Sequence, residues 1–268
     1  MSVLLEIKDG TPWYLSTDIW TVPIDPNGSP GLPIAGQPCY LFARVTNNGT
    51  DPVHNATVRY YWANPSVGFD RNTANIIGQA NVSLNPGASQ DVLCLVPWVP
   101  TFLNGGHECV LAEAFHPSLD PLPAGPVFNV PTDRHVAQRN LSVLQAARHM
   151  FKLVFEIHNP GRKEASFDIA LEHGKPEEFK KLAAHIGKQF PAKTKEGELK
   201  SWGFTDAVCP SADDVKHAKK ALSVKLLPGQ KLTQCLVGEV GAGATYLHVV
   251  QKKDNQVTGG LAAIVISD

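Results

Sequence analysis

The chain of 268 residues carries 24 basic and 25 acidic side chains, which gives a formal net charge of -1. This balance excludes the electrostatic signature of a nucleic-acid-binding protein, and no apolar run approaches the roughly 20 residues that a membrane-spanning helix needs. The 22 glycines and 21 prolines exceed what a helical protein usually holds, and they favour many short strands joined by turns.

The N-terminal segment 1–10 lacks the features of a secretory signal peptide. It has no basic start, and Glu6 and Lys8 interrupt any apolar core. The sequence therefore predicts a protein that stays in the cytoplasm or leaves the cell without a cleaved leader. A leader missing from this sequence is the third alternative, which the initiating Met1 disfavours.

Short strands separated by turn signals fill the first half of the chain. Alternating apolar and polar residues predict strands over 1–10, 18–22, 39–45, 56–62, 81–84, 90–98, 107–115 and 135–144. Turns such as Asn85-Pro86-Gly87 lie between them, where proline presets φ and glycine accepts a positive φ. Roughly seven strands in about 140 residues are typical of an immunoglobulin-like β-sandwich.

The second half repeats landmarks of the first in the same order. The corresponding pairs are Asn47 with Asn159, Ala-Thr-Val at 56–58 with Ala-Ser-Phe at 165–167, the Pro-Gly turns at 86–87 and 228–229, and Cys-Leu-Val at 94–96 and 235–237. The offset grows from 112 residues at Asn159 to 142 at Gly229, which locates an insertion in the second copy. We therefore predict an all-β fold of two tandem immunoglobulin-like β-sandwiches, over 1–144 and 145–268.

The insertion, at about 174–221, has a helical pattern. Residues 179, 182, 183 and 186 are apolar at helical spacing, Pro176 suits a first helical turn, and Gly187 suits a helix end. Ser211 resembles the N-cap of a second helix. Because binding residues tend to lie on additions to a rigid scaffold, this insertion is predicted to determine the binding specificity of the chain.

The five cysteines match no zinc motif, since no CxxC occurs among Cys39, Cys94, Cys109, Cys209 and Cys235. We interpret them as buried free thiols, which pack like small apolar side chains. The alternative is a disulfide between Cys39 and Cys109, both on predicted core strands of one sandwich. That bond would require an oxidising compartment.

Polar residues are densest between 107 and 135. His107, His116 and His135, with nearby carboxylates, are the candidate ligands of a zinc or iron site. No pair has HxxxH spacing, and no GxSxG motif or exposed activated thiol occurs. The sequence therefore predicts no catalytic residue and no cofactor.

Four residues are the candidate binding positions. Trp13 and Trp202 lie in loop contexts, where an exposed indole can anchor a partner protein or stack on a sugar ring. Lys180 and Lys181 belong to the lysine-rich insertion, whose lysines alternate with glutamates as in a solvated face.

Short motifs in the first half follow a recognisable order. They are Asn-Asn-Gly at 47–49, Val-Arg-Tyr-Tyr-Trp at 58–62, Leu-Asn-Pro-Gly at 84–87, Val-Pro-Trp at 96–98, Gly-His-Glu-Cys at 106–109 and Arg-Asn-Leu at 139–141. Together they resemble bacterial immunoglobulin-like domains of the CARDB (cell-adhesion-related) type. The resemblance covers about 17–144, with 145–268 as a degenerate second copy. It implies a fold and no site, in domains that serve adhesion, spacing or substrate presentation.

The leading hypothesis is a non-enzymatic protein that binds or assembles with other proteins, or with itself, through exposed strand edges. The first alternative is a carbohydrate-binding or extracellular matrix module, which would use exposed aromatic residues to hold a polysaccharide. The second alternative is a metal-dependent hydrolase built on the three histidines.

Overall fold

The computed structural model describes residues 2–64, 66, 68–101, 108–206 and 212–268, with the side chains of 188 and 212–214 left out. The predicted all-β fold is confirmed, because strands dominate these ranges. The chain forms two compact units. The first unit holds Met1–Ala63, Asp70–Arg139 and Lys181–Gln189, and the second holds Asn64–Phe69, Asn140–Lys180 and Phe190–Asp268.

The first unit is a sandwich of two antiparallel sheets. Its strands are β1 (Leu5–Glu6), β2 (Ile19–Pro23), β3 (Cys39–Asn47), β4 (Val53–Ala63), β5 (Asn75–Leu84), β6 (Ser89–Leu93), β7 (Cys109–Phe115) and β8 (Val136–Arg139). In one sheet, β1, β2 and β6 all pair with β3. In the other, the strand order is β5-β4-β7-β8.

The core of the first unit lies between these sheets. Along β3, buried and less buried residues alternate, so Leu41, Ala43 and Val45 face inward. Val58 and Tyr60 on β4 join the same cluster, and the Tyr60 hydroxyl donates to the Val92 carbonyl oxygen at 2.7 Å. The buried hydroxyl is thereby satisfied, as a core tyrosine requires.

The second unit is also a sandwich of two sheets. Its strands are β9 (Leu141–Gln145), β10 (Met150–His158), β11 (Ala165–His173), β12 (Leu199–Thr205), β13 (Leu222–Leu226), β14 (Lys231–Val240), β15 (Gly243–Lys253) and β16 (Gln256–Ser267). The two sheets have the orders β10-β14-β12 and β13-β11-β15-β16-β9. Strand β9 pairs in parallel with β16. A separate apolar core, with Phe155, Phe204 and Leu247, fills this unit.

The prediction of one strand over 135–144 is wrong, because the strand is interrupted at Asn140. The residues before it form β8 in the first unit, and those after it form β9 in the second. The buried Asn140 amide donates to the carbonyl oxygens of Ser66 at 2.7 Å and Gly260 at 2.9 Å. These side-chain bonds divert the chain from a continuous strand.

The insertion contains helices and one strand that was not predicted. Its helices are α1 (Pro176–Lys180), α2 (Ala183–Ile186), a 3-10 turn (Gly187–Gln189) and α3 (Ala212–His217). Phe179, Leu182 and Ile186 are fully buried, although a turn divides the predicted helix into α1 and α2. Strand β12 pairs with β14. Ser211 and Cys209 lie outside the described residues, and within those residues no helix is long and apolar enough to cross a membrane.

A buried asparagine closes β3 in the first unit. The Asn47 amide nitrogen donates to the carbonyl oxygens of Asp51 at 2.8 Å and Leu84 at 3.4 Å. Its amide oxygen accepts from the Gly49 N–H at 3.0 Å, and its own carbonyl accepts from the Gly87 N–H at 2.8 Å. One side chain therefore ties the end of β3 to the end of β5.

Asn159 makes the same set of bonds in the second unit. Its amide donates to Lys163 and Leu226 carbonyl oxygens, both at 2.9 Å, and accepts from the Gly161 N–H at 3.1 Å. Its carbonyl accepts from the Gly229 N–H at 2.8 Å. Gly87 and Gly229 have nearly the same φ, 71° and 70°. The landmarks that the sequence pairs thus occupy equivalent positions, which we call the asparagine corners.

One predicted correspondence is shifted. Ala165 pairs with Leu226, whereas the residue opposite Leu84 is Val53 and not Ala56. The shift follows from the corners, because Val53 lies six residues after Asn47 just as Ala165 lies six residues after Asn159.

Candidate functional site

Two of the three predicted metal-binding histidines, His116 and His135, have structural partners. His116 Nδ1 accepts the backbone N–H groups of Ser118 at 3.2 Å and Leu119 at 3.1 Å, which closes a turn. His135 is buried, with Nδ1 2.6 Å from Asp133 Oδ1 and Nε2 3.1 Å from Asp120 Oδ1. His107 lies outside the described residues, and within the described ranges no three His, Cys, Asp or Glu side chains could hold a metal ion together.

The carboxylates around His135 fasten the N-terminal strand. Asp120 Oδ2 accepts the Leu5 N–H at 2.6 Å, and Asp120 Oδ1 accepts from the Arg134 guanidinium. Burial alone would lower the pKa of His135, but its hydrogen bonds to Asp133 and Asp120 outweigh burial and raise it. The imidazole lies between two carboxylates, an arrangement that stabilises the loops and leaves no side free for a substrate.

Asp9, in the same region, has a raised pKa. Burial, reinforced by the charges of Glu6 and Asp133, raises the pKa of Asp9 to about 7. Its buried Oδ1 has no hydrogen-bond partner. The carboxylate is therefore destabilised when it ionises near neutral pH.

The two predicted binding tryptophans are both half-buried. Trp13 packs edge-on against Tyr14, with ring centroids 5.3 Å apart. Trp202 packs edge-on against Phe204, and Lys220 Nζ lies 4.6 Å from its ring centroid. A cation therefore covers one face of the Trp202 indole, and Trp202 lies on β12 and not in the predicted loop.

The two predicted binding lysines are exposed. Lys180 Nζ lies 3.6 Å from Glu177 Oε1 on the same short helix, and Lys181 follows it in a turn. An exposed pair of this kind contributes little to stability.

The cysteines on the core strands are unreactive thiols. Cys39 and Cys109 are buried and free, so the alternative disulfide between them is not formed in this structure. Burial raises the pKa of Cys39 to about 12 and raises the pKa of Cys94 and Cys109 as well. Because the thiolate is the nucleophile, these positions are poor candidates for covalent catalysis.

The outer strand β5 is the unusual surface feature of the first unit. It is ten residues long, with the sequence Asn-Ile-Ile-Gly-Gln-Ala-Asn-Val-Ser-Leu, and contains no charged residue and no proline. One side pairs with β4, and among the described strands none pairs with the other side. Its outward N–H and C=O groups are thus available to another strand.

The other outer strands in the described parts of the chain are protected by charge or by short length. Charged residues that are not buried occur in β1, β6, β10, β12 and β13, namely Glu6, Asp91, Lys152 with Glu156, Lys200 and Lys225, and β8 is four residues long. The uncharged β2 and β9 are five residues long, and β2 ends in proline. Charge, proline and short length are the usual means by which proteins prevent edge-to-edge pairing.

Exposed apolar side chains border β5. Ile76 on β5 is 62% exposed, and Leu95, on the segment after β6, is 77% exposed. Val96 and Val99 are exposed as well. A Cβ built on Gly78 would lie 3.0 Å from the Val96 side chain, so this segment lies directly against β5. We call β5, with its exposed Ile76, the binding edge.

Solved structures similar to this chain include several β proteins. The CARDB domain of a Pyrococcus furiosus protein, solved in complex with di-metal ions, is 15% identical, with a TM-score of 0.31 over 52% of this chain and 85% of that chain. A Mobiluncus mulieris adhesin is 8% identical, with a TM-score of 0.27 over 93% of this chain and 97% of that chain.

Red sea bream transglutaminase is 12% identical, with a TM-score of 0.25. The match covers 94% of this chain and 31% of the transglutaminase. No protein-family model matches the sequence, and a search of curated proteins finds no match. At these identities and scores, no function transfers to this chain from the similar structures.

Proposed function

We propose that this chain is a non-enzymatic binding and assembly module that joins another protein by strand addition to β5. The observation that carries the proposal is the ten-residue outer strand without charge or proline. An added strand would pair with the outward backbone groups of β5. Main-chain hydrogen bonds supply affinity in this mode, and alternate side chains supply specificity.

The two faces of β5 suit this role. Val82 and Leu84 are buried and anchor the strand in the core, whereas Gln79, Asn81 and Ser83 point outward and are exposed. Strand β4 holds β5 in register on its inner side. A partner strand would therefore meet a preorganised edge and would lose less conformational freedom than on a mobile loop.

The apolar side chains beside β5 supply the driving force for such an association. Burying exposed apolar surface contributes roughly 25 cal/mol per Å². Leu95 and Ile76 are the most exposed large apolar residues among those described.

The non-enzymatic part of the proposal is supported by the chemistry of the candidate groups. The thiols of Cys39, Cys94 and Cys109 have raised pKa values, and the His135 imidazole is held between Asp133 and Asp120. These groups are buried and serve the core and the loops.

The test is site-specific photocrosslinking in the host of the protein. A benzophenone amino acid replaces Asn81 on β5, and in a matched control it replaces Ser223, the equivalent position on β13. We expect protein adducts from position 81 and none from position 223, because only β5 offers a long uncharged edge. Equal adducts from both positions, or none from either, would overturn the proposal.

A further inference from the structure

We infer that the strand added to β5 is the β5 strand of a second copy of this chain, so that two copies form an antiparallel dimer through their binding edges. This inference rests on the proposed function and names its partner. It follows from the chemistry of the edge, from the charge of the chain and from the contrast between the two units.

The outward side chains of β5 are self-complementary. Gln79 and Asn81 carry amides and Ser83 carries a hydroxyl, and each of these groups both donates and accepts hydrogen bonds. Placed opposite the same set in a second copy, they pair without conflict of charge. A charged partner strand would find no opposite charge on β5, since the strand has none.

The bordering apolar side chains favour the same partner. In an antiparallel pair each copy contributes its own exposed Ile76, so apolar surface from both copies enters one interface. The net charge of -1 opposes this contact only weakly, because the repulsion between two copies scales with the product of their charges.

In the second unit, the outer strand equivalent to β5 carries a charge that protects its edge. The asparagine corners make Leu84 and Leu226 equivalent, and therefore Ser83 on β5 corresponds to Lys225 on β13. Strand β13 is five residues long, and Lys225 Nζ forms an ion pair with Glu164 at 2.7 Å. Lysine on an edge strand discourages pairing. At the same position β5 has serine, which permits it.

The experiment measures the mass of the purified chain by sedimentation equilibrium over a range of concentrations. The variants are Ser83→Lys and Asn81→Lys on β5, with Ser223→Lys on β13 as the matched control. We expect the wild type and the control to dimerise with the same dissociation constant. We expect each β5 variant to raise that constant at least 10-fold, because a lysine on the pairing strand places a positive charge from each copy in the shared interface.

Folding of the variants is checked by circular dichroism and thermal unfolding. Ser83 Oγ accepts the Asn55 N–H at 3.2 Å in an exposed position, so its loss is expected to lower the melting temperature only slightly. Asn81→Lys leaves that bond intact and keeps the test independent of it. Neither substitution enters the core, since both side chains are exposed.

The outcomes separate the inference from the proposed function. A dimer that both β5 variants weaken supports the inference, as does a crosslinked product from position 81 with twice the mass of the chain. A monomer at all concentrations whose position 81 crosslinks to a different protein overturns the inference and leaves the proposed function standing. A dimer that neither β5 variant weakens overturns the inference. A monomer without β5-dependent adducts overturns both.

Discussion

The two units keep the same asparagine corner but differ in the outer strand that this corner holds. Asn47 fixes the end of β5, and Asn159 fixes the end of β13, through the same pattern of backbone bonds. Beyond the corner, β5 runs for ten uncharged residues, whereas β13 runs for five and includes Lys225. The two units therefore share the buried hydrogen bonds of the corner and differ in the length and charge of the exposed strand.

This difference separates the requirements of folding from those of association. A buried amide that satisfies several backbone groups is needed in either unit, because leaving those groups unpaired is costly. An exposed edge has no such requirement, so its length and charge are free to differ. The experiments below test both parts of this contrast, beginning with the one that should have the largest effect.

The corners should contribute equally to the stability of their units. Asn47→Ala removes partners from the Gly49 N–H and from the carbonyl groups of Asp51 and Leu84. Each buried group left unpaired costs about 1–3 kcal/mol, and partial access of water reduces the sum, so we expect a loss of about 3 kcal/mol. Asn159→Ala should cost about the same. Urea unfolding, followed by circular dichroism, measures both.

The matched control for this pair is Asn85→Ala, which changes an exposed asparagine in the turn after β5. We expect a change within about 0.5 kcal/mol for this control. A loss below about 1 kcal/mol at either corner would contradict the equivalence. Asn47 also accepts the Leu4 N–H at 3.3 Å, so a slightly larger loss there is compatible with it.

Sequence reasoning found the corners because they impose local residue types. An asparagine that bonds the backbone two and four residues later must be followed by a turn, and a glycine with φ near 70° must follow the proline. Alternation likewise located β3 and β4, whose inward residues, such as Leu41 and Tyr60, are buried. Both signals act within a few residues, so the sequence exposes them directly.

The binding edge could not be found in this way. The first half of β5, before residue 81, gives no regular alternation, because Gly78 lies there and a register irregularity occurs opposite Tyr60 and Tyr61. Whether a strand is outer or inner depends on strand order, which alternation does not encode. For the same reason the assignment of Lys181–Gln189 to the first unit was not predicted, since it depends on contacts distant in sequence.

A second difference between the units is the carboxylate cluster near the N-terminus of the first. The pKa of Asp9 is raised to about 7 in the fold, against 3.8 when exposed. Ionisation is thus harder in the folded state than in the unfolded chain. The stability associated with neutral Asp9 is fully present below pH 3.8 and is lost as the pH rises towards 7.

The substitution Asp9→Asn should prevent this loss of stability at neutral and higher pH. At pH 8 we expect the free energy of unfolding to rise by roughly 1–2 kcal/mol, which allows for solvent screening at a half-exposed site. At pH 4 the same variant should differ little from the wild type, which makes it its own control. Urea unfolding at the two pH values measures the effect. An equal change at both would show that the carboxylate charge is not its cause.

The smallest effect is expected when the edge of the second unit is opened. Lys225→Ser gives β13 the residue that β5 has at the equivalent position. The lost ion pair with Glu164 is exposed, so the free energy of unfolding should change by less than about 0.5 kcal/mol. We also expect no new association between copies through β13, because a strand of five residues offers far fewer main-chain hydrogen bonds than the ten-residue β5. Sedimentation equilibrium checks this. If Lys225→Ser instead formed assemblies larger than the wild type, one lysine would be the whole protection of β13, and the length of β5 would not be what makes its edge adhesive.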